Sequence, residues 1–169
     1  MYTHRVKLLS ILRHAKSSWK DESLDDHDRP LNKRGTRDAP RMGALLRAQG
    51  LAPEAVISST ARRARDTSLR VAEAAGLPGE VRFTRSLYLA EPDAYLAALR
   101  ELEDSIGHAL VVGHNPGLEA LLAALVGEQH RMPTAALALV ELPAGSWREL
   151  EANGGASLRA LWRPRGLRD

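Results

Sequence analysis

Short apolar runs of β character recur along this chain, alternate with amphipathic stretches, and end on polar or glycine-rich clusters. Leu8-Leu9-Ser10-Ile11-Leu12 runs into Arg13-His14, Ala55-Val56-Ile57 into Ser58-Ser59-Thr60, and Ala109-Leu110-Val111-Val112 into Gly113-His114-Asn115-Pro116-Gly117. Strands alternating with helices favour an α/β fold, a three-layer α/β/α sandwich around a mostly parallel sheet. In such a sheet the carboxyl ends of the strands converge on one crevice, so His14 and His114 are placed to face one ligand. Arg13 beside the first imidazole implies that the ligand is an anion, and the arginine-rich helix start after the second run adds free backbone N–H groups and a positive dipole.

The first strand is expected over about Lys7 to Leu12, followed by a polar loop from Lys16 to Arg29 that could fold over the crevice. Asn32 reads as a helix N-cap, with Ala39, Met42, Leu45 and Leu46 as the buried face and Gly50 as the end. After the second strand, a helix over 61–75 buries Ala64, Val71, Ala72, Ala75 and either Leu69 or Ser68, stopping at Gly76. Val81 to Thr84 reads as an edge strand, Pro92 to Leu102 as a helix, and His108 to Val112 as a central strand. Pro116-Gly117 opens a helix with a Leu118, Leu121, Leu122, Leu125 stripe and Gly127 as its stop. Thr134 to Leu142 and Ser157 to Arg163 have no long helix between them, so they are expected to pair antiparallel at the C-terminal side of the sheet.

A length of 169 residues fits a single domain over 1–169, with 44% hydrophobic residues to build its core. The chain has no cysteine, which removes disulfides and thiolate chemistry. The apolar run near the N-terminus is too short for a signal peptide, and no stretch approaches ~18 apolar residues, so a cytoplasmic protein without a membrane partner is expected. The net charge of +3 comes from 24 basic and 21 acidic residues, and aromatic residues make up 4%. Nucleic-acid binding is therefore not expected, because it would want a concentrated basic stripe interleaved with aromatics. His4, His27, His108 and His130 take structural or solvent-exposed readings, and no histidine pair has metal-ligand spacing with an acid partner, so neither a metal nor a cofactor is expected.

Three motifs in order, Leu12-Arg13-His14-Ala15-Lys16-Ser17, Ser59-x-x-x-Arg63-Ala64-x-x-Thr67 and Val112-Gly113-His114-Asn115-Pro116-Gly117, resemble the histidine phosphatase superfamily, also called phosphoglycerate mutase-like. Asp28-Arg29-Pro30-Leu31-Asn32-Lys33-Arg34-Gly35, the short length and the ending Leu161-Trp162-Arg163-Pro164-Arg165 are most similar to its small SixA-like phosphohistidine phosphatases. The resemblance spans residues 6 to 165. It implies that His14 is the phosphorylated nucleophile, that Arg13 and Arg63 clamp the phosphoryl oxygens, and that His114 stabilises the transition state. Arg62 is left for the rim, because successive helical side chains diverge by ~100°. Asn115 supports the site as part of a turn and helix start, and Lys16, Ser17 or Ser18 could touch substrate.

Larger members of the superfamily carry a carboxylic acid after the third strand, where this chain has Glu91 and Asp93. Either could donate a proton, or simply favour the start of a helix through its dipole. The Asp28-Arg29-Pro30-Leu31 stretch reads as structural, with Asp28 pairing with Arg29 or Arg34. The expected activity is hydrolysis of phosphohistidine on a protein through a phospho-His14 intermediate. A phosphatase of small phosphomonoesters, or a module that binds a phosphorylated ligand without turnover, is the alternative; oligomeric state is not legible.

Overall fold

A computed structural model describes residues 6–167. Six strands form one sheet: β1 (Lys7–Arg13), β2 (Ala55–Ser59), β3 (Val81–Thr84), β4 (His108–Gly113), β5 (Leu137–Leu142) and β6 (Ser157–Trp162). Their order is β3-β2-β4-β1-β5-β6. β1 to β4 pair parallel, β5 runs antiparallel to β1, and β6 pairs antiparallel with β5. β5 alone therefore opposes the common direction, which agrees with the expected antiparallel pair near the C-terminus.

Four helices cover the sheet: α1 (Lys33–Ala48), α2 (Arg62–Ala75), α3 (Pro92–Arg100) and α4 (Gly117–Val126). One core lies under α1 and α2, where Met42, Leu46, Ala64 and Val71 meet Leu12, Val56, Leu110 and Val112. The other lies under α3 and α4, where Tyr95, Leu99, Leu118 and Leu122 meet Leu9, Ile11, Ile57 and Val111. Alternating residues of β1 and β4 thus feed opposite layers, as the period-2 direction of strand side chains requires. α1 leaves β1 on one face toward β2, while α4 leaves β4 on the other face toward β5. Adjacent strands whose helices depart in opposite directions open a crevice at their carboxyl ends.

Local signals set the element ends. Asn32 caps α1 by accepting a hydrogen bond from the Gly35 N–H at 2.9 Å. Gly76 and Gly127 end α2 and α4 with φ of 69° and 79°, a left-handed conformation that costs glycine little. Ser68 rather than Leu69 faces inward from α2, and Leu69 is exposed. The strand expected from Thr134 begins only at Leu137, because 133–136 form a turn closed by the Ala136 N–H on the Pro133 carbonyl. Among the described residues no helix is long and apolar enough to cross a membrane.

His108 is buried on β4, with Nε2 2.8 Å from Ser10 Oγ on the neighbouring strand. Burial pushes its pKa down to about 4, against the pull of Glu54. The unfolded chain binds this proton near pH 6.5 while the folded one resists it until about 4, so stability falls as pH drops between those values. His108→Gln should remove roughly 3 kcal/mol of the loss between pH 7 and 4, read by urea unfolding at each pH. An unchanged pH dependence would locate that loss elsewhere.

Candidate active site

The carboxyl ends of β2, β4 and β1 lie side by side, so Ser59, Gly113 and Arg13 deliver their following residues to one place. A cleft of about 220 Å³ opens there, lined by His14, Arg13, Arg63 and His114, with Ser17 and Asn115 among its walls.

His14 is 7% exposed. Its Nδ1 lies 2.8 Å from the Ala15 carbonyl, which can only accept, so Nδ1 carries the proton and Nε2 keeps a lone pair. Burial, together with the charges of Arg63, Arg13 and Arg29, pushes its pKa down to about 4, over the opposing effect of the Ala15 hydrogen bond. The backbone around the ring is tied on every side. The His14 N–H donates to Gly113, the Ala15 N–H donates to Thr67 Oγ1, and the Ala135 N–H is shared by the Arg13 and His14 carbonyls. Thr67 in turn donates to the Arg63 carbonyl at 2.7 Å, joining the loop after β1 to α2. Gly35 lets α1 approach this loop, since a Cβ there would overlap the Lys16 carbonyl.

His114 is 2% exposed, and its ring centroid lies 5.2 Å from that of His14. Its Nε2 pairs with Ser59 Oγ at 2.8 Å. Ser59 accepts from the Ala61 N–H, and with its own hydroxyl proton donated to Nε2 the His114 ring proton is assigned to Nδ1. That Nδ1, like Arg13 Nε, is buried without a hydrogen-bond partner among the described residues. Both are donors, and a buried donor without a partner is costly. Burial and the facing His14 lower the His114 pKa to about 3, which keeps the ring neutral. Tyr95, fully buried on α3, accepts from the His114 N–H at 3.3 Å.

Arg63 in the first turn of α2 is 4% exposed, whereas Arg62 points outward and pairs with Asp66 at 3.7 Å. Arg63 donates to the Asp26 carbonyl at 2.7 Å and to its carboxylate at 3.0 Å. Arg29 donates to the same carboxylate at 3.0 Å and to Ser17 Oγ at 2.6 Å, with its guanidinium over the Trp19 ring. The Tyr88 hydroxyl also donates to Asp26, at 2.5 Å. Although burial pushes the other way, these donors hold the Asp26 carboxyl well below the usual carboxylate range. The arrangement gathers cationic and neutral donors around a neutral imidazole, a setting suited to a phosphoryl group.

The model of the histidine phosphatase superfamily, branch 1, matches residues 9–87. A functionally unassigned protein of Mycobacterium leprae is 35% identical over 167 residues, covering 91% of this chain and all of that protein. This chain belongs to the histidine phosphatase superfamily. Among solved structures, the SixA protein of Agrobacterium tumefaciens aligns with a TM-score of 0.79 at 27% identity, covering 94% of this chain and 98% of that one. A protein histidine phosphatase SixA complexed with tungstate aligns with a TM-score of 0.80 at 25% identity, covering 95% and 99%.

The family's motif residues Arg13, His14, Arg63 and His114 thus share one cleft in this chain, and Lys16 and Ser17 line it as well. Asn115 also lines it, but its side chain is occupied in scaffolding: Nδ2 donates to the Met132 carbonyl and Oδ1 accepts from Glu119. Glu91 and Asp93 do not line the cleft; both are exposed, at the N-cap and first turn of α3, where a dipole suffices to explain them. Asp28 pairs with neither Arg29 nor Arg34: it lies 3.6 Å from His27, while Arg29 reaches Asp26 and Arg34 lies 3.9 Å from Asp38. Arg29, read as structural, does hold Ser17, Ser18 and Asp26, and it also lines the cleft. His27 bonds Thr60 at 2.8 Å and packs edge-on against Tyr88 beside the site; His4 lies outside the described residues.

Asp26 and Tyr88 were not singled out by the sequence reading, and Arg29 was read only as structural. The signal available for Asp26 and Arg29 was the polar Lys16 to Arg29 loop, read as able to fold over the crevice. Asp26→Asn removes an anion that competes for Arg63, so inorganic phosphate should bind more tightly by a factor on the order of 10, measured by titration calorimetry. Weaker binding would show instead that Asp26 positions Arg63 for the ligand.

Proposed function

We propose that the chain hydrolyses phosphohistidine on proteins through a covalent phospho-His14 intermediate. The observation that carries the reading is the hydrogen bond from His14 Nδ1–H to the Ala15 carbonyl, which leaves Nε2 as a neutral nucleophile among arginines. Its lone pair bonds to phosphorus as the P–N bond of the substrate breaks. The departing electron pair stays on the substrate nitrogen, and the leaving ring, once protonated by solvent on its other nitrogen, departs as neutral imidazole. Water then attacks phosphorus, and the P–N pair returns to His14 Nε2, yielding inorganic phosphate.

Because solvent can protonate that second nitrogen near neutral pH, the enzyme need not supply an acid to this leaving group, whereas an alkyl ester would need one. That distinction favours phosphohistidine, because the carboxylate held by the site arginines is Asp26, which stays ionised at neutral pH. Arg13 and Arg63 neutralise the phosphoryl oxygens, and His114 Nδ1–H donates to one of them. Two exposed apolar side chains, Trp19 and Leu89, rim the cleft, which suits a protein surface more than a small polar metabolite. The reaction so written uses no metal, and the similarity to a SixA solved with tungstate, a tetrahedral oxyanion, supports the same assignment of the cleft.

The deciding assay compares kcat/KM for phosphate release from a phosphohistidine-bearing protein and from a panel of small phosphomonoesters, without added metal. Preference for phosphohistidine is expected, and His14→Ala should lower turnover by ~10³-fold or more while retaining phosphate binding. Preference for one small ester would keep the His14 chemistry and replace the substrate; no release from any would leave a binding module. A proton on Nε2 blocks attack, and burial holds that proton off until about pH 4, so kcat/KM should stay level down to about pH 5 and then fall. An acid limb near pH 6.5 would show that His14 titrates as an exposed imidazole.

A further inference from the structure

A second cavity, of about 310 Å³, shares Thr134 with the catalytic cleft and is lined by five arginines and one aspartate. Arg34, Arg37 and Arg41 come from one face of α1, and Arg163 and Arg165 from the segment that follows β6. The aspartate is Asp38, 4% exposed, whose carboxylate lies 3.5 to 3.9 Å from the guanidinium groups of Arg34, Arg37 and Arg41. One buried carboxylate thus organises three arginines, and among the described lining residues arginines outnumber carboxylates. Arg34 also donates to Thr134 Oγ1 at 3.2 Å, tying the groove to the wall of the cleft, and Arg41 donates to the Leu167 carbonyl at 3.3 Å, tying α1 to the C-terminal segment.

We infer that this groove is a docking site for acidic side chains on the protein whose phosphohistidine enters the cleft. Guanidinium forks match carboxylates in geometry, and Asp38 shows these arginines already gathered around one. No aromatic residue lines the groove, so it offers no platform for stacking nucleic-acid bases. Its position beside the cleft, with Thr134 in the wall of both, lets a partner with glutamates or aspartates near its phosphohistidine engage both at once. Such a surface acts mainly on encounter rate and partner choice, and it weakens with salt. The inference rests on the protein-substrate reading above, but its test does not require turnover.

The probe is a fluorescently labelled deca-glutamate peptide, titrated against the full chain by anisotropy. The wild type is expected to bind it in a salt-dependent manner, and Arg37→Ser with Arg165→Ser to weaken binding at least ~5-fold. Affinity of the cleft for inorganic phosphate stays unchanged. Both side chains are exposed, so the fold tolerates the change, and the Arg37→Lys, Arg165→Lys pair should recover part of the affinity. Equal peptide affinity in wild type and variant would overturn the inference. So would tighter binding of an oligothymidylate of equal charge, or displacement of the peptide by inorganic triphosphate at lower concentration than by free deca-glutamate. Peptide binding with no phosphohistidine hydrolysis would instead count against the proposed reaction and leave the groove standing. Where hydrolysis occurs, the serine pair should lower kcat/KM for the phosphoprotein and spare that for free phosphohistidine.

Discussion

The backbone hydrogen bonds that converge on residues 13 to 16 are the constraint on which the rest of the site depends. A strand end would ordinarily leave its last N–H and C=O groups to solvent, but here Gly113, Thr67, Ala135 and Asn32 take them up from four different elements. Each of those partners is far away in sequence, so the loop after β1 is positioned only when the sheet, α2 and the turn before β5 are all in place. The orientation of His14 is therefore a property of the whole fold. Ala135 carries part of that burden at φ 62°, a left-handed backbone that a residue with a Cβ adopts only under pressure from its surroundings.

Neutral imidazoles and charged guanidinium groups coexist here for a physical reason. Burial disfavours protonation of His14 and His114, and the nearby arginines repel a further positive charge, so both effects act in the same direction. An arginine cannot relieve the crowding by losing its proton, because its pKa lies too high. The histidines therefore stay neutral while the arginines stay charged, which is the division of labour that nucleophilic attack on a phosphoryl group needs.

Much of the framework was legible in the sequence because it rests on local rules. Apolar runs marked the strands, Asn32 marked the start of α1, and Gly76 and Gly127 marked the ends of α2 and α4. The motif positions could be placed at strand ends because a parallel sheet sends those ends to one side. What was not legible depends on pairing between distant residues. Asp26 meets Arg63 and Tyr88 only after the loop folds across the crevice, and Ser59 meets His114 only because β4 inserts beside β2. Glu91 had the right chemistry and a suitable neighbourhood in sequence, yet the geometry of the α3 start turns that position to solvent. The groove beside α1 was not legible, since nothing in the spacing of Arg34, Arg37 and Arg41 indicates that Arg163 and Arg165 complete it.

The Asp26 carboxylate has one more consequence. Tethered to the same chain, it is an ever-present anion at the arginines, so any incoming anion must outcompete a group whose local concentration is fixed by the fold. Chloride, acetate and other singly charged species gain little over it, whereas a phosphoryl group with two charges and several acceptor oxygens gains more. On the proposed function, the resting loop would set a threshold on ligand charge, favouring phosphoryl dianions over monovalent anions.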